Sequence, residues 1–267
     1  MVTINIDPVL VHLGPIAVSW YGLAIASAIF AAFRLTVSEA RRRGIDTDPL
    51  ADLVIWVVIG GLVGGRLLHV IDRWSAYAAD PMQILMVQNC GLAIEGAILG
   101  GTLAGIIGAR RHGLPVFRLS DAVAPGLILG QAIGRLGCLV NGDALGPATD
   151  GTWGIRYVNP GAMAPQLGTA YQPTFAYEAM WDLIVFAILW SMRGRLRQDG
   201  QLFALYLALY AVGKFALTFL RTEVIWLYGL QEAQLVAIGV LLLAIGWWRS
   251  GARTTTRAEP LSRPAHA

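Results

Sequence analysis

The sequence predicts an all-α membrane protein of seven transmembrane helices, with a small folded head on the outer side between the fourth and fifth spans. Three observations lead there. Only 14% of the 267 residues are charged and 56% are hydrophobic, with a mean hydropathy of +0.59. Soluble domains carry about 25% charged residues, so this chain has too little polar surface to coat a water-soluble globule. Seven segments approach the roughly 20 apolar residues that a helix needs to cross a bilayer. The basic residues fall in clusters after every second one of those segments.

The spans, in order, are residues 16–37, 50–70, 91–109, 120–140, 174–192, 202–220 and 233–248. Arg41, Arg42 and Arg43 follow the first. Arg110, Arg111 and Arg118 follow the third. Arg193, Arg195 and Arg197 follow the fifth, and Arg249, Arg253, Arg257 and Arg263 follow the seventh. Thirteen basic residues therefore stand on one side, against Arg73, Arg156 and Arg221 on the other. Cytoplasmic loops carry the Lys/Arg excess, which puts the N-terminus outside and the C-terminus in the cytoplasm. An odd number of spans is required, and seven satisfies it.

The first 15 residues lack a basic leader, and Asp7 and Pro8 interrupt any early apolar run, so no cleavable signal peptide is expected. Residues 143–173, rich in Gly, Pro and aromatic residues, form the expected head. Residues 1–250 make one membrane domain including that head, and residues 251–267 read as a disordered basic cytoplasmic tail. No internal repeat is visible, which argues against an inverted-repeat transporter.

These features exclude a soluble cytosolic enzyme, a disordered chain and a secreted disulfide scaffold. Cys90 and Cys138 have no metal-ligand spacing and read as small buried hydrophobes. The net charge of +3 does not signal nucleic-acid binding, because the basic residues sit in short clusters between spans. His69 and His112 suggest no metal site.

Charges inside spans are the informative departures. One at the bilayer centre costs about 2.5–3.5 kcal/mol on insertion scales. Arg34 can snorkel to the cytoplasmic face. Arg66, Glu95, Arg135 and Lys214 cannot be dismissed so easily, and each has small neighbours: Gly64-Gly65-Arg66, Glu95-Gly96-Ala97, Gly134-Arg135 and Gly213-Lys214. Small residues allow helices to approach closely. Three cations against one carboxylate leave positive charge to be offset by an anion from outside. Arginine holds lipid phosphate through paired hydrogen bonds, so a phosphate-binding cavity is expected. The alternative is that Glu95 pairs with one arginine and the others face headgroups.

Residues 134–146, Gly-Arg-Leu-Gly-Cys-Leu-Val-Asn-Gly-Asp-Ala-Leu-Gly, leave the fourth span through glycines. Arg135, Asn141 and Asp143 bring a cation, an amide and a carboxylate to one interface, and Gly142 and Gly146 permit the turns.

At these residues the chain resembles the prolipoprotein diacylglyceryl transferases of bacteria. The resemblance runs over residues 5–248. It rests on Ile6-Asp7-Pro8, Gly14-Pro15-Ile16 and Ser19-Trp20-Tyr21-Gly22-Leu23 at the start, then on Gly64-Gly65-Arg66. Ser120-Asp121, Ala124-Pro125, Gly134-Arg135-Leu136-Gly137 and Asn141-Gly142 follow. Pro173-Thr174, Tyr177-Glu178 and Phe219-Leu220-Arg221 complete it.

The resemblance implies an enzyme of the bacterial plasma membrane. Such an enzyme transfers a diacylglyceryl group from phosphatidylglycerol to the thiol of a lipobox cysteine in a prolipoprotein signal peptide, releases glycerol phosphate, and uses no cofactor. The expected assignments are Arg135 on the lipid phosphate, helped by Arg66 or Lys214, with Arg221, Gly142 and Gly146 completing the binding site. Asn141 and Tyr21 orient the glycerol and ester groups. Glu95 is the first choice of base for the thiol, and Asp143 the second. A structural alternative stands beside two of these: Glu95 as an ion-pair partner of Arg66 or Arg135, and Tyr21 as an interface anchor; Tyr177-Glu178 reads as a brace between span five and the head.

The chain departs from the usual family pattern at Glu95 (usually histidine), Cys138 (asparagine), Asp143 (glutamate), Gln172 (histidine), Lys214 (arginine) and Thr218 (glutamate). The departures at Glu95, Cys138 and Thr218 carry the alternative function, a relative that binds lipid or lipoprotein without transfer.

Overall fold

The computed structural model describes residues 1–14, 16–78, 80–85, 91–196, 198–221, 225–227 and 229–255. Cys90, Arg197, Arg257, Arg263, Pro15 and the expected tail from residue 256 onward lie outside the described residues. Eight α-helices are present among them: α1 (Trp20–Arg42), α2 (Leu50–Asp72), α3 (Trp74–Tyr77), α4 (Ile94–Arg111), α5 (Val116–Asn141), α6 (Thr174–Met192), α7 (Gln201–Thr218) and α8 (Glu232–Thr255). The last runs five residues into the stretch read as tail.

By length and composition, α1, α2, α5, α6, α7 and residues 232–249 of α8 can cross a membrane, which makes six helices among the described residues. Seven spans were expected. The missing one coincides with α4, which carries Glu95 in its first turn and Arg110 and Arg111 in its last. Its uncharged stretch is residues 96–109, short of the ~20 residues of a full crossing. Large apolar side chains such as Ile55, Trp56, Leu103, Met180 and Leu242 are exposed, the exterior that lipid requires.

The first span starts later than expected. Ile16–Ser19 is a strand (β3), antiparallel to β2 (Val9–Leu13). Ser19 then caps α1, its hydroxyl accepting the N–H of Gly22 at 3.0 Å.

Two compact units divide the chain. The second, Val37–Leu119, is organised by α2 and α4. Its glycines set the approach: a Cβ on Gly64 would strike the Gly96 carbonyl, and one on Gly100 the Gly60 carbonyl. This Gly-x-x-x-Gly packing on both helices lets backbone meet backbone. The Ala93 N–H donates to the Gly65 carbonyl at 3.0 Å and ties the start of α4 to α2.

The first unit comprises Met1–Thr36 and the described residues from Ser120 onward. Here α1 and α5 pack closely, since a Cβ on Gly126 would lie 2.6 Å from the Ala32 carbonyl oxygen. Ala124, Ile128, Val185, Leu189, Leu202 and Tyr206 form the core of α5, α6 and α7. Two caps fix α7 and α8. The Asp121 carboxylate, from α5, accepts the N–H groups of Gly200 (3.0 Å) and Phe203 (2.9 Å) at the start of α7. Gln234 reaches back to the Gln231 N–H at 3.0 Å at the start of α8, the glutamine form of a capping box.

The residues expected to form the head do fold, and they recruit the N-terminus. β4 (Ile155–Tyr157) pairs in parallel with β1 (Val2–Ile4) and antiparallel with β5 (Ala170–Tyr171). Ile4, Cys138, Ile155, Tyr157 and Phe175 form a second core. Tyr157 is fully buried, and its hydroxyl donates to the Leu139 carbonyl at 2.8 Å. Burial pushes its phenol above the usual tyrosine range. The chain is thus mostly helical, with seven short strands among the described residues. β6 (Ile225–Leu227) and β7 (Leu230–Gln231) complete that set, between α7 and α8.

Candidate active site

The turn leaving α5 prepares the site. Gly142 and Ala144 both adopt left-handed backbone conformations, with φ of 78° and 53°. A non-glycine residue there costs on the order of 1 kcal/mol or more, so the turn around Asp143 is held by its surroundings. The Ala144 carbonyl accepts the Thr174 hydroxyl at 2.6 Å and the Phe175 N–H at 3.2 Å. The Gly146 N–H donates to the Gln172 carbonyl at 2.9 Å. A Cβ on Gly146 would lie 2.8 Å from both the Leu220 carbonyl oxygen and the Thr174 methyl. Gly146 is therefore the point where the turn, the start of α6 and the end of α7 meet, and it brings Arg221 beside α6.

At the centre is Glu178, buried on α6. Arg135 from α5 approaches it to 2.6 Å, Lys214 from α7 to 3.5 Å, and Arg221 just beyond α7 to 3.5 Å. None of these contacts gives Glu178 a well-aligned hydrogen bond, and both its oxygens are buried without one among the described residues. Charge attraction from three cations at 2.6–3.5 Å holds this carboxylate. One turn along α6, Asp182 is buried too.

A narrow cleft opens here, with about 230 Å³ of free space including its mouth. Arg135, Glu178, Trp181, Asp182, Tyr210, Gly213, Lys214 and Leu217 line it. The Trp181 indole fills the space a side chain at Gly213 would need, and its N–H donates to the Leu209 carbonyl at 3.1 Å.

Tyr21, Cys138, Asp143 and Arg135 lie within electrostatic reach of one another. The Tyr21 ring packs on Gly137, where a Cβ would be 2.9 Å away. One oxygen of Asp143 is buried and has no hydrogen-bond partner among the described residues. The Asn141 side-chain amide donates to the Met163 sulfur at 3.2 Å, and the Asn141 main-chain carbonyl accepts the Met163 N–H at 2.8 Å.

Arg66 and Glu95 belong to the second unit. The buried Arg66 guanidinium donates to the carbonyls of Ile84 (3.0 Å), Gly91 (2.9 Å) and Gln83, and lies 5.1 Å from the centre of the Tyr77 ring. Glu95 is exposed in the first turn of α4, where a carboxylate complements the helix dipole.

The charge balance read from the sequence requires correction. Three cations were set against Glu95 alone, but α6 supplies Glu178 and Asp182 to the cleft. The intramembrane-charge argument that singles out Arg135 applies equally to these two carboxylates. They stand four residues apart on one face of an apolar helix, and that spacing was the available signal.

The fold and site together define a multi-pass membrane protein with a cation-rich cleft built around a buried carboxylate. The profile of the prolipoprotein diacylglyceryl transferase family matches residues 8–249. The chain is 42% identical over 246 residues to the phosphatidylglycerol–prolipoprotein diacylglyceryl transferase of Trichormus variabilis, covering 89% of this chain and 87% of the relative. It is 36% identical over 250 residues to the protein of the same name from Staphylococcus xylosus, covering 92% and 90%. A third relative of that name, from Gloeobacter violaceus, is 38% identical over 260 residues, covering 95% and 96%. The chain belongs to the prolipoprotein diacylglyceryl transferase family.

Proposed function

We propose that this protein transfers the diacylglyceryl group of phosphatidylglycerol to the lipobox cysteine thiol of prolipoprotein signal peptides. In this reading it lies in the bacterial plasma membrane as seven spans, α4 supplying the seventh. The N-terminus and the head are outside and the C-terminus is cytoplasmic. The basic clusters after alternate spans support that orientation.

The observation that carries the activity is the ring of Arg135, Lys214 and Arg221 around Glu178, whose oxygens have no aligned donors among the described residues, with Asp182 one turn away in the same cleft. Glu178 keeps the three cations together, and the phosphate of the lipid takes up their remaining positive charge. The thiol loses its proton to a carboxylate, and the sulfur attacks the glycerol carbon bearing the phosphate ester. The carbon–oxygen bond breaks as the carbon–sulfur bond forms, and glycerol phosphate leaves with the electron pair. Cations aimed at the leaving phosphate stabilise the charge that develops there.

Asp143 and Glu95 are the two candidate bases. The unpaired buried oxygen of Asp143, beside Tyr21, Cys138 and Arg135, supports Asp143. Tyr21 and Asn141 orient the glycerol and ester groups, and Gly142 and Gly146 shape the turn that carries Asp143. The carbonyl partners of Arg66 support a role in shaping its own loop.

Purified protein incubated with labelled phosphatidylglycerol and a lipobox peptide is expected to yield the thioether-linked diacylglyceryl peptide and glycerol phosphate. Folded protein that retains lipid but forms no thioether would overturn transfer in favour of binding alone.

A further inference from the structure

At the opposite ends of α7 and α8 from the cation ring, a second concavity lies between the two helices. It holds about 510 Å³ of free space, its open side included, and is lined by Ala204, Leu205, Ala208, Ala244, Ile245, Trp248 and Arg249. Three alanines form the depression, and the larger side chains border it. Every lining residue but one is apolar. The exception, Arg249, is exposed and makes no ion pair or hydrogen bond among the described residues. Trp248 stands beside it, and Arg253 follows one turn on in the same helix.

An apolar channel between two spans, ending at an unpaired guanidinium and an indole, has the polarity of a phospholipid. Hydrocarbon fits the alanine trough. Indole rings settle at headgroup depth, and a guanidinium holds phosphate through two parallel hydrogen bonds. We propose that this groove binds one anionic phospholipid, its acyl chain against Ala204, Ala208 and Ala244 and its phosphate on Arg249. The site is separate from the cleft around Glu178. On the proposed orientation it draws on the cytoplasmic leaflet, whose anionic lipids attract basic residues near the surface.

The test uses the full chain in phosphatidylcholine nanodiscs carrying a small fraction of a photoactivatable lipid with a diazirine on its acyl chain. The probe is phosphatidylglycerol in one arm and phosphatidylcholine in the other. Adducts are mapped to peptides by mass spectrometry. The expected result is labelling within residues 201–208 and 244–249, enriched about fivefold for the anionic probe, the factor one surface charge supplies. Arg249→Gln should bring that enrichment down to the phosphatidylcholine level while leaving thioether formation unchanged, and Arg249→Lys should keep part of it. Ala208→Phe should remove the adducts of both probes. Excess inorganic phosphate should not compete, because the trough holds the chain as well as the headgroup.

Equal labelling by both probes would reduce the groove to ordinary lipid contact and overturn the proposal. So would anionic enrichment that survives Arg249→Gln, or labelling abolished by inorganic phosphate. Because Arg249 takes no part in the proposed transfer, loss of this site and loss of activity are read separately.

Discussion

Arg66, buried, and Arg135, half-buried, are both arginines in apolar helices beside glycines, and they are satisfied in different ways. Arg66 spends its donors on three backbone carbonyls of the segment between α2 and α4. Those acceptors are neutral and fixed, and the arrangement closes on itself. Arg135 faces Glu178, which it shares with Lys214 and Arg221. That arrangement stays open, because Glu178 and Asp182 together do not neutralise three cations and the Glu178 oxygens receive no aligned hydrogen bonds among the described residues. Two residues that look alike in sequence thus divide into one that shapes a loop and one that can receive an anion.

The sharpest way to break this division is Arg135→Ala. If Arg135 seats the leaving phosphate, transfer per folded molecule should fall by about 10²–10³-fold or more, the loss typical of removing one donor to developing charge. Arg135→Lys should recover part of it, since a point charge replaces a planar fork. Steady-state thioether formation, normalised to folded protein by size-exclusion profile, is the measurement. Near-normal turnover in Arg135→Ala would leave the open arrangement without its proposed use.

Arg66→Met tests the other half. Losing the guanidinium takes a donor from the carbonyls of Ile84, Gly91 and Gln83, which water partly reaches, at about 0.5–1.5 kcal/mol for each bond lost. Thermal stability in detergent should fall, and transfer per folded molecule should hold. A variant of normal stability but greatly reduced turnover would move Arg66 into the phosphate site and erase the contrast.

The contrast is only partly legible in sequence. Spans are legible because a bilayer demands long apolar runs, and six of the expected segments correspond to helices able to cross. α4 is harder, since charges at both ends cut its apolar stretch to residues 96–109. The short strands escape because β1 and β4 lie over 150 residues apart in sequence, and three-residue strands have no periodicity to read. The cluster of Arg135, Lys214 and Arg221 is legible as misplaced charge or as motif, and its partner only through the four-residue spacing of Glu178 and Asp182 on an apolar helix. Glu178 sits beside Tyr177 at the mouth of a span, where a bracing role is equally natural. Packing at Gly146 and of Trp181 on Gly213 brings α6 and the end of α7 together. Arg66 illustrates the converse: its acceptors are backbone carbonyls, which every residue possesses and no sequence pattern marks.

The smallest expected effect concerns two buried carboxylates rather than two arginines. Asp121 accepts two N–H groups from the start of α7, whereas Glu178 accepts none with good alignment. Asp121 is therefore to carboxylates what Arg66 is to cations, a charge closed by backbone. Asp121→Ala should cost about 1–2 kcal/mol, the loss of a helix cap, seen as a modest drop in melting temperature with transfer per folded molecule unchanged. Glu178→Gln should act in the opposite proportion. It removes the charge that holds three cations in register, so turnover should suffer beyond any loss of stability. If both variants lose stability alone, with turnover per folded molecule intact, Glu178 is a brace, and the cation ring needs no substrate to explain it.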